Sequence, residues 1–135
     1  MKLLLTYPEL QTYINDHYGK QIETAYVSDN TICVSYILKI LFIKKTISID
    51  ISIDKVDGTD IYLSHRGGIG IDLIVKGALK FLKQTLNNQS IEIVDSEKII
   101  IHLNQIETLN KILEIMELKN ICFDIQHIII EAKLK

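Results

Sequence analysis

The chain is 135 residues long, 47% hydrophobic and 24% charged, a balance that excludes the disordered class and supplies one compact core. With 17 acids against 15 basic residues the net charge is −2, and the lysines are spread among the acids, which argues against a nucleic-acid partner. The first ten residues offer only the run Leu3 to Leu5 before Pro8, too short for a secretory core. No stretch reaches the ~18 apolar residues of a membrane span, and the expected location is the cytoplasm.

No linker or composition break divides the sequence, so residues 1–135 are read as a single domain. In TYPELQTYINDHYG, Thr6 stands as a cap, Pro8 and Glu9 fall in a first turn, and Leu10, Tyr13, Ile14 and Tyr18 recur at helical spacing until Gly19. From Gln21 the period changes to two. Asp29 and Asn30 close a hairpin that sets Val27 opposite Ile32 and Ala25 opposite Val34. Each even position from Ile32 through Val34, Tyr36, Leu38 and Ile40 to Phe42 is apolar, which predicts a long strand with one apolar face. Folding back around Lys44 and Lys45 would pair Phe42 with Ile47, Ile40 with Ile49, Leu38 with Ile51, Tyr36 with Ile53 and Lys39 with Asp50. In KVDGT, a three-residue loop ending on a left-handed Gly58 keeps one face apolar by setting Ile61 against Ile53 and Leu63 against Ile51. These segments together predict a four-stranded antiparallel meander.

Ile71 to Leu86 reads as a helix whose apolar arc exceeds what one sheet face needs, with Lys76, Lys80 and Lys83 on its polar stripe. Ser90 to Val94 and Lys98 to Leu103 read as strands. Asn104 with Glu107 has capping-box spacing before Ile106, Leu109, Ile112, Leu113 and Met116, and the closing strands Ile121 to Ile125 and Ile128 to Lys133 turn at Gln126 and His127. The order α-ββββ-α-ββ-α-ββ describes an α+β fold in which a long antiparallel β-meander wraps on helices.

Candidate chemistry concentrates in SHRGGIGID. Glycines before a helix let backbone N–H groups approach an anion, so His65, Arg66, Gly67 and Gly68 form a candidate anion contact. A tight strand-to-helix turn with Arg66 as a solvated charge remains the simpler alternative, since Asp72 would repel an anion and Leu73 breaks the G-x-G-x-x-G pattern. Asp50, Asp54, Asp57 and Asp60 do not follow a calcium-loop spacing. His17, His65, His102 and His127 lack metal-ligand spacing, and Cys33 and Cys122 lack a CxxC pattern, so neither a metal nor another cofactor is expected. No nucleophile elbow or Cys/His pairing stands out, and the protein is not read as an enzyme.

The layout of ELQTYINDHYG, a long amphipathic meander ending in VDGTDIYLSH, an apolar helix and KNICFDIQHIIIEAKL resembles the tubular lipid-binding (TULIP, BPI-like) superfamily, in its small bacterial single-domain form. That resemblance covers nearly the whole chain as pattern, with no diagnostic motif. It implies a curved sheet around helices with an apolar channel for acyl chains, although the signal peptide or lipid anchor usual in such relatives is not seen. Two function classes follow. One is a non-catalytic binding module holding an apolar, lipid-like ligand between sheet and helix, lined by Tyr36, Leu38, Phe42, Ile51 and Phe81. Its geometric motive is that a 13-residue strand spans roughly 40 Å whereas the helix spans about 24 Å. The other is a fully packed structural or interaction domain, such as a homodimer, with no ligand.

Overall fold

The computed structural model describes residues 1–18, 22–67, 89–95 and 97–135. It opens on a strand, β1 (Lys2–Thr6), which runs directly into helix α1 (Tyr7–Tyr18). Thr6 and Glu9 cap that helix reciprocally, as the cap position of Thr6 predicts. The Thr6 N–H and hydroxyl donate to Glu9 Oε1 at 3.1 and 2.7 Å, and the Glu9 N–H donates back to Thr6 Oγ1 at 3.2 Å. Hydrogen bonds from the Thr6 side chain and then its backbone hold the Glu9 carboxyl below its ordinary range.

Five strands alternate with tight turns through the middle of the chain: β2 (Ile22–Ser28), β3 (Thr31–Ile40), β4 (Ile43–Asp57), β5 (Asp60–Gly67) and, after the undescribed residues 68–88, β6 (Ile91–Ile93). Strand β7 (Lys98–His102) then enters a short 3-10 turn, Leu103–Gln105, followed by helix α2 (Glu107–Ile115), β8 (Met116–Phe123) and β9 (His127–Leu134). The strands form two antiparallel sheets, a larger one ordered β2-β3-β4-β5-β7-β6 and a smaller one ordered β1-β9-β8.

This corrects the expected order α-ββββ-α-ββ-α-ββ and its meander wrapped on helices. Strands hold 63% of the described residues and helical segments 22%, and the described core is sheet against sheet. Part of the reason lies at the ends of the chain. Leu3 to Leu5, too short to carry a strand signal alone, becomes β1 by pairing with Ile128 to Ile130 of β9. Met116, placed by helical spacing on α2, instead begins β8, which continues to Phe123. The predicted helix Ile71 to Leu86 lies outside the described residues.

Two buried clusters fill the space between the sheets. Tyr7, Ile32, Phe123 and Ile128 form one, and Ile61, Leu63 and Leu118 the other; Ile51, Ile53, Ile121 and Ile130 pack against both. Apolar area removed from water along this seam, at about 25 cal/mol per Å², drives the pairing of the two layers. Hydrogen bonds fix the register between layers at one end. The Phe123 N–H donates to the Asp29 carbonyl at 2.8 Å, and Gly58 forms an isolated bridge with Leu118. The β2–β3 and β4–β5 turns therefore both lie against β8.

Turn chemistry explains the departures in register. Asp29 and Asn30 do form the first turn, but a bulge at Val27 shifts the ladder so that Tyr26, not Val27, faces Ile32 and Thr24, not Ala25, faces Val34. Gly58 takes the positive φ expected of it, 64°, in a two-residue loop with Thr59 that sets Asp57 opposite Asp60. A bulge at Asp54 then brings Ile53 opposite Leu63 and Ile51 opposite His65, in place of the expected Ile61 and Leu63. Asn104 does not cap α2. The chain leaving β7 is held to the β4–β5 turn by Leu103 N–H donating to Thr59 O at 2.8 Å, and Ile106 occupies the cap position with no side-chain hydrogen bond. Edge strand β2 is partly covered, since Gln11 Oε1 of α1 accepts from both the N–H and the hydroxyl of Thr24 at 2.9 and 3.0 Å.

The β8–β9 turn is closed by Asp124 and tied to α1. Asp124 Oδ1 accepts from the N–H groups of Gln126 and His127, and the Tyr7 hydroxyl donates to the Asp124 carbonyl at 2.6 Å. The Gln126 N–H foremost, with His127 behind it, holds the Asp124 carboxyl below its ordinary range. Burial, then the charge of Asp124, raises the Tyr7 hydroxyl.

Two outcomes test this account. A Cβ at Gly58 would meet nothing within 4 Å, so Gly58→Val isolates the backbone strain and should cost about 1–2 kcal/mol, read as a lower thermal midpoint. Asp124 binds its proton less tightly when folded, so its contribution is complete above about pH 3.8 and is lost as the pH falls through its lower folded value. Asp124→Asn should therefore unfold earlier than the parent at pH 7, with the difference narrowing below about pH 3.8 in paired denaturation curves.

Candidate functional site

The alternation read from the sequence places one continuous apolar face on the larger sheet, and the observed ladder keeps it as far as Ile47, beyond which it sets Lys45 opposite Leu38. Ile32 pairs with Ile51, Val34 with Ile49, Tyr36 with Ile47 and Ile40 with Ile43, while Ile61 and Leu63 continue the face into Ile101 and Ile99 of β7. The smaller sheet covers this face only near the turns at Asn30 and Gly58. Among the described residues, the clusters between the sheets take in Val34, Ile51 and Ile53 but not Ile47 or Ile49, which are half-buried further along β4.

The β3–β4 hairpin ends elsewhere than predicted. It turns at Leu41 and Phe42, so that Ile40 pairs with Ile43, Lys39 with Lys44 and Leu38 with Lys45. Leu41 adopts φ 55°, the left-handed conformation that glycine fills most cheaply in a two-residue hairpin, at a cost of roughly 1–2 kcal/mol for a residue with a Cβ. Leu41 is 94% exposed, Phe42 102% and Ile43 71%. Among the described residues, pairing with β2 stops at Tyr36 and pairing with β5 stops at Ile49, so beyond these points β3 and β4 pair only with each other.

The sequence-predicted site residues are thereby separated. Ile51 lies half-buried on the inner face opposite Ile32 and His65, whereas Phe42 is at the hairpin tip in water. In the β3–β4 ladder Tyr36 pairs with Ile47 and Leu38 with Lys45. Phe81 and Gly68 lie outside the described residues. His65, Arg66 and Gly67 end β5, and the residues that follow lie outside the described ones; His65 is 7% exposed on the inner face, and Arg66 is exposed on the outer face opposite Asp50. Successive strand residues point to opposite faces, so His65 and Arg66 do not converge on one anion.

One polar constellation was not legible in the sequence because its members are 42 and 10 residues apart along the chain. His102 Nδ1 lies 2.8 Å from Asp60 Oδ1 and its Nε2 lies 3.6 Å from Glu92, on the outer face where β5, β7 and β6 run side by side. The 2.8 Å contact joins β5 to β7 on that face, with Glu92 of β6 beside it. Cys33 and Cys122, expected as core fillers, are free thiols, half-buried on the outer faces of their sheets. Among the described residues no group of three or more His, Cys, Asp or Glu side chains could hold a metal ion, and no helix is long and apolar enough to cross a membrane. No protein family, no curated protein and no solved structure matches the chain.

Ile51 joins both clusters while bordering the uncovered stretch, so its truncation reports on how firmly the seam is packed. Ile51→Ala should lower stability by about 2–3 kcal/mol in a two-state denaturant titration, with the m-value unchanged.

Proposed function

We propose that the protein is a non-catalytic binding module that holds an apolar, lipid-like ligand against the inner face of its larger sheet. One observation carries the reading: the apolar face of β3 and β4 continues past the residues covered by the smaller sheet, through Ile49 and Ile47, before the ladder reaches Lys45. Contiguous apolar surface of this kind is costly in water and is normally buried by a ligand, a partner or another part of the same chain. The apolar segment Ile71 to Leu86 is the sequence's candidate for the opposing wall.

The test is native mass spectrometry of the purified protein followed by fluorescent fatty-acid displacement. The expected result is a bound acyl-chain species at one per chain, with displacement weakened at least ~10-fold in Ile49→Asn, which introduces an amide where an alkyl chain would lie. A ligand-free monomer that displaces no fatty acid, or a dimer whose interface covers Ile47 and Ile49, would overturn the reading in favour of a packed interaction domain.

A further inference from the structure

The hairpin tip combines three features that folding alone does not reward. Leu41, Phe42 and Ile43 form an apolar point standing in water, and Leu41 is in a conformation for which asparagine or glycine would serve better. The same segment is the most cationic part of the hairpin. Lys39, Lys44 and Lys45 lie within seven residues, and from Thr31 to Ile49 there is not one acid, in a chain whose net charge is −2. Lys39 and Lys44 are cross-strand partners, an arrangement of like charges that weakens an isolated ladder. A hairpin optimised only for solubility would carry the opposite pattern, with a polar turn and cross-strand charges of opposite sign.

An occupant that relieves all three costs must be apolar at its centre and anionic around it. We infer that the Leu41–Phe42–Ile43 tip inserts into the interfacial layer of an anionic lipid surface, drawn to it by the cationic composition of residues 39–45. The dimensions agree. Leu41 lies five positions beyond Tyr36, the last residue of β3 paired with β2 among the described residues, so the tip stands roughly 17 Å beyond that pairing. Insertion of an apolar face by 5–10 Å is the depth typical of interfacial elements, within that distance. Both strands pair continuously from Ile40 and Ile43 inward, so the backbone groups of the immersed portion on the facing sides of the hairpin are already hydrogen-bonded. This inference does not depend on a ligand along the inner face, since the tip can touch a bilayer whether that face is filled or empty.

The experiment is vesicle co-sedimentation with phosphatidylcholine vesicles, with and without ~30% phosphatidylserine, at low and at high salt. The parent protein should partition to the anionic vesicles on the order of 100-fold more strongly than to neutral ones, and high salt should remove most of that difference. The double variant Leu41→Asn, Phe42→Gly supplies an ordinary hairpin turn, so it should melt no lower than the parent while its vesicle binding falls at least ~10-fold. The triple variant Lys39→Gln, Lys44→Gln, Lys45→Gln should abolish the preference for anionic lipid. Binding that is equal on neutral and anionic vesicles, or equal for parent and turn variant, would overturn the inference. So would a concentration-dependent dimer that the turn variant abolishes, with no vesicle binding by the parent. Fatty-acid displacement measured on the same turn variant keeps the two proposals apart, because the inner-face site should survive loss of the tip.

Discussion

The seam at which Ile51 and Ile53 of β4 meet Ile121 of β8 and Ile130 of β9 is the contact on which the rest of the fold depends. These four half-buried side chains belong to neither cluster alone and pack against both. Removing them would separate the Tyr7–Phe123 side of the core from the Ile61–Leu118 side. Their position also explains why the central strand is the longest: β4 must pair with β3 on one side and β5 on the other while presenting Ile51 and Ile53 to the second sheet. The polar contacts around the seam reinforce its register. The turns at Asn30 and Gly58 can touch β8 only when Ile51 and Ile53 lie over it, because a two-residue slip would carry both turns about 7 Å along the strand.

From this placement follows an asymmetry along the larger sheet. Two sheets of unequal length cannot cover one another, and the smaller sheet is anchored at the end where the β2–β3 and β4–β5 turns lie. The opposite end is built from β3 and β4 alone among the described residues, and it ends in side chains with no described cover. Apolar alternation runs toward that end as far as Ile47 and Tyr36, after which the ladder sets Lys45 opposite Leu38. One sequence pattern therefore supplies core at the anchored end and extends past the smaller sheet at the other.

How much of this was legible in the sequence depends on what each signal can resolve. The apolar face itself was legible, because period-two alternation survives any even shift in register. For the same reason the pattern could not choose between a hairpin pairing Tyr36 with Ile53 and the one observed, pairing Tyr36 with Ile47; both keep Ile32, Val34, Ile47, Ile49 and Ile51 on one side. Only the turn discriminates, and Leu41–Phe42 gives no turn signal, while Lys44–Lys45 is the more polar place to reverse. The ladder of β8 and β9 shows the same degeneracy, with Phe123 opposite Ile128 rather than Ile130. Bulges were invisible for a different reason. Those at Val27, Asp54 and Lys119 each carry one extra residue that no alternation rule marks, and the one at Val27 exchanged the faces of Ala25 and Thr24. The left-handed φ of Gly58 and the cap position of Thr6 were legible because each rests on local geometry rather than on a partner strand, although the loop is Gly58–Thr59 and not Val56 to Gly58.

The residues that sequence reasoning misplaced are also those where local preference and observed structure disagree most, and such disagreement is itself informative. Elsewhere turn composition follows need: Asp29–Asn30 and Gly58 sit where a polar or glycine turn is expected, and Asp124 satisfies the backbone donors of its own turn. The anchored end therefore obeys the ordinary rules, and its edge at β2 is partly capped by Gln11. At the free end the rules are broken together, with an apolar pair at the turn, a left-handed leucine and cross-strand lysines. A hairpin whose register is set by a continuous ladder tolerates those costs without loss of fold, because nothing in the inter-sheet seam rests on its tip. That independence lets the tip's sequence be shaped by what it touches outside the molecule rather than by the core.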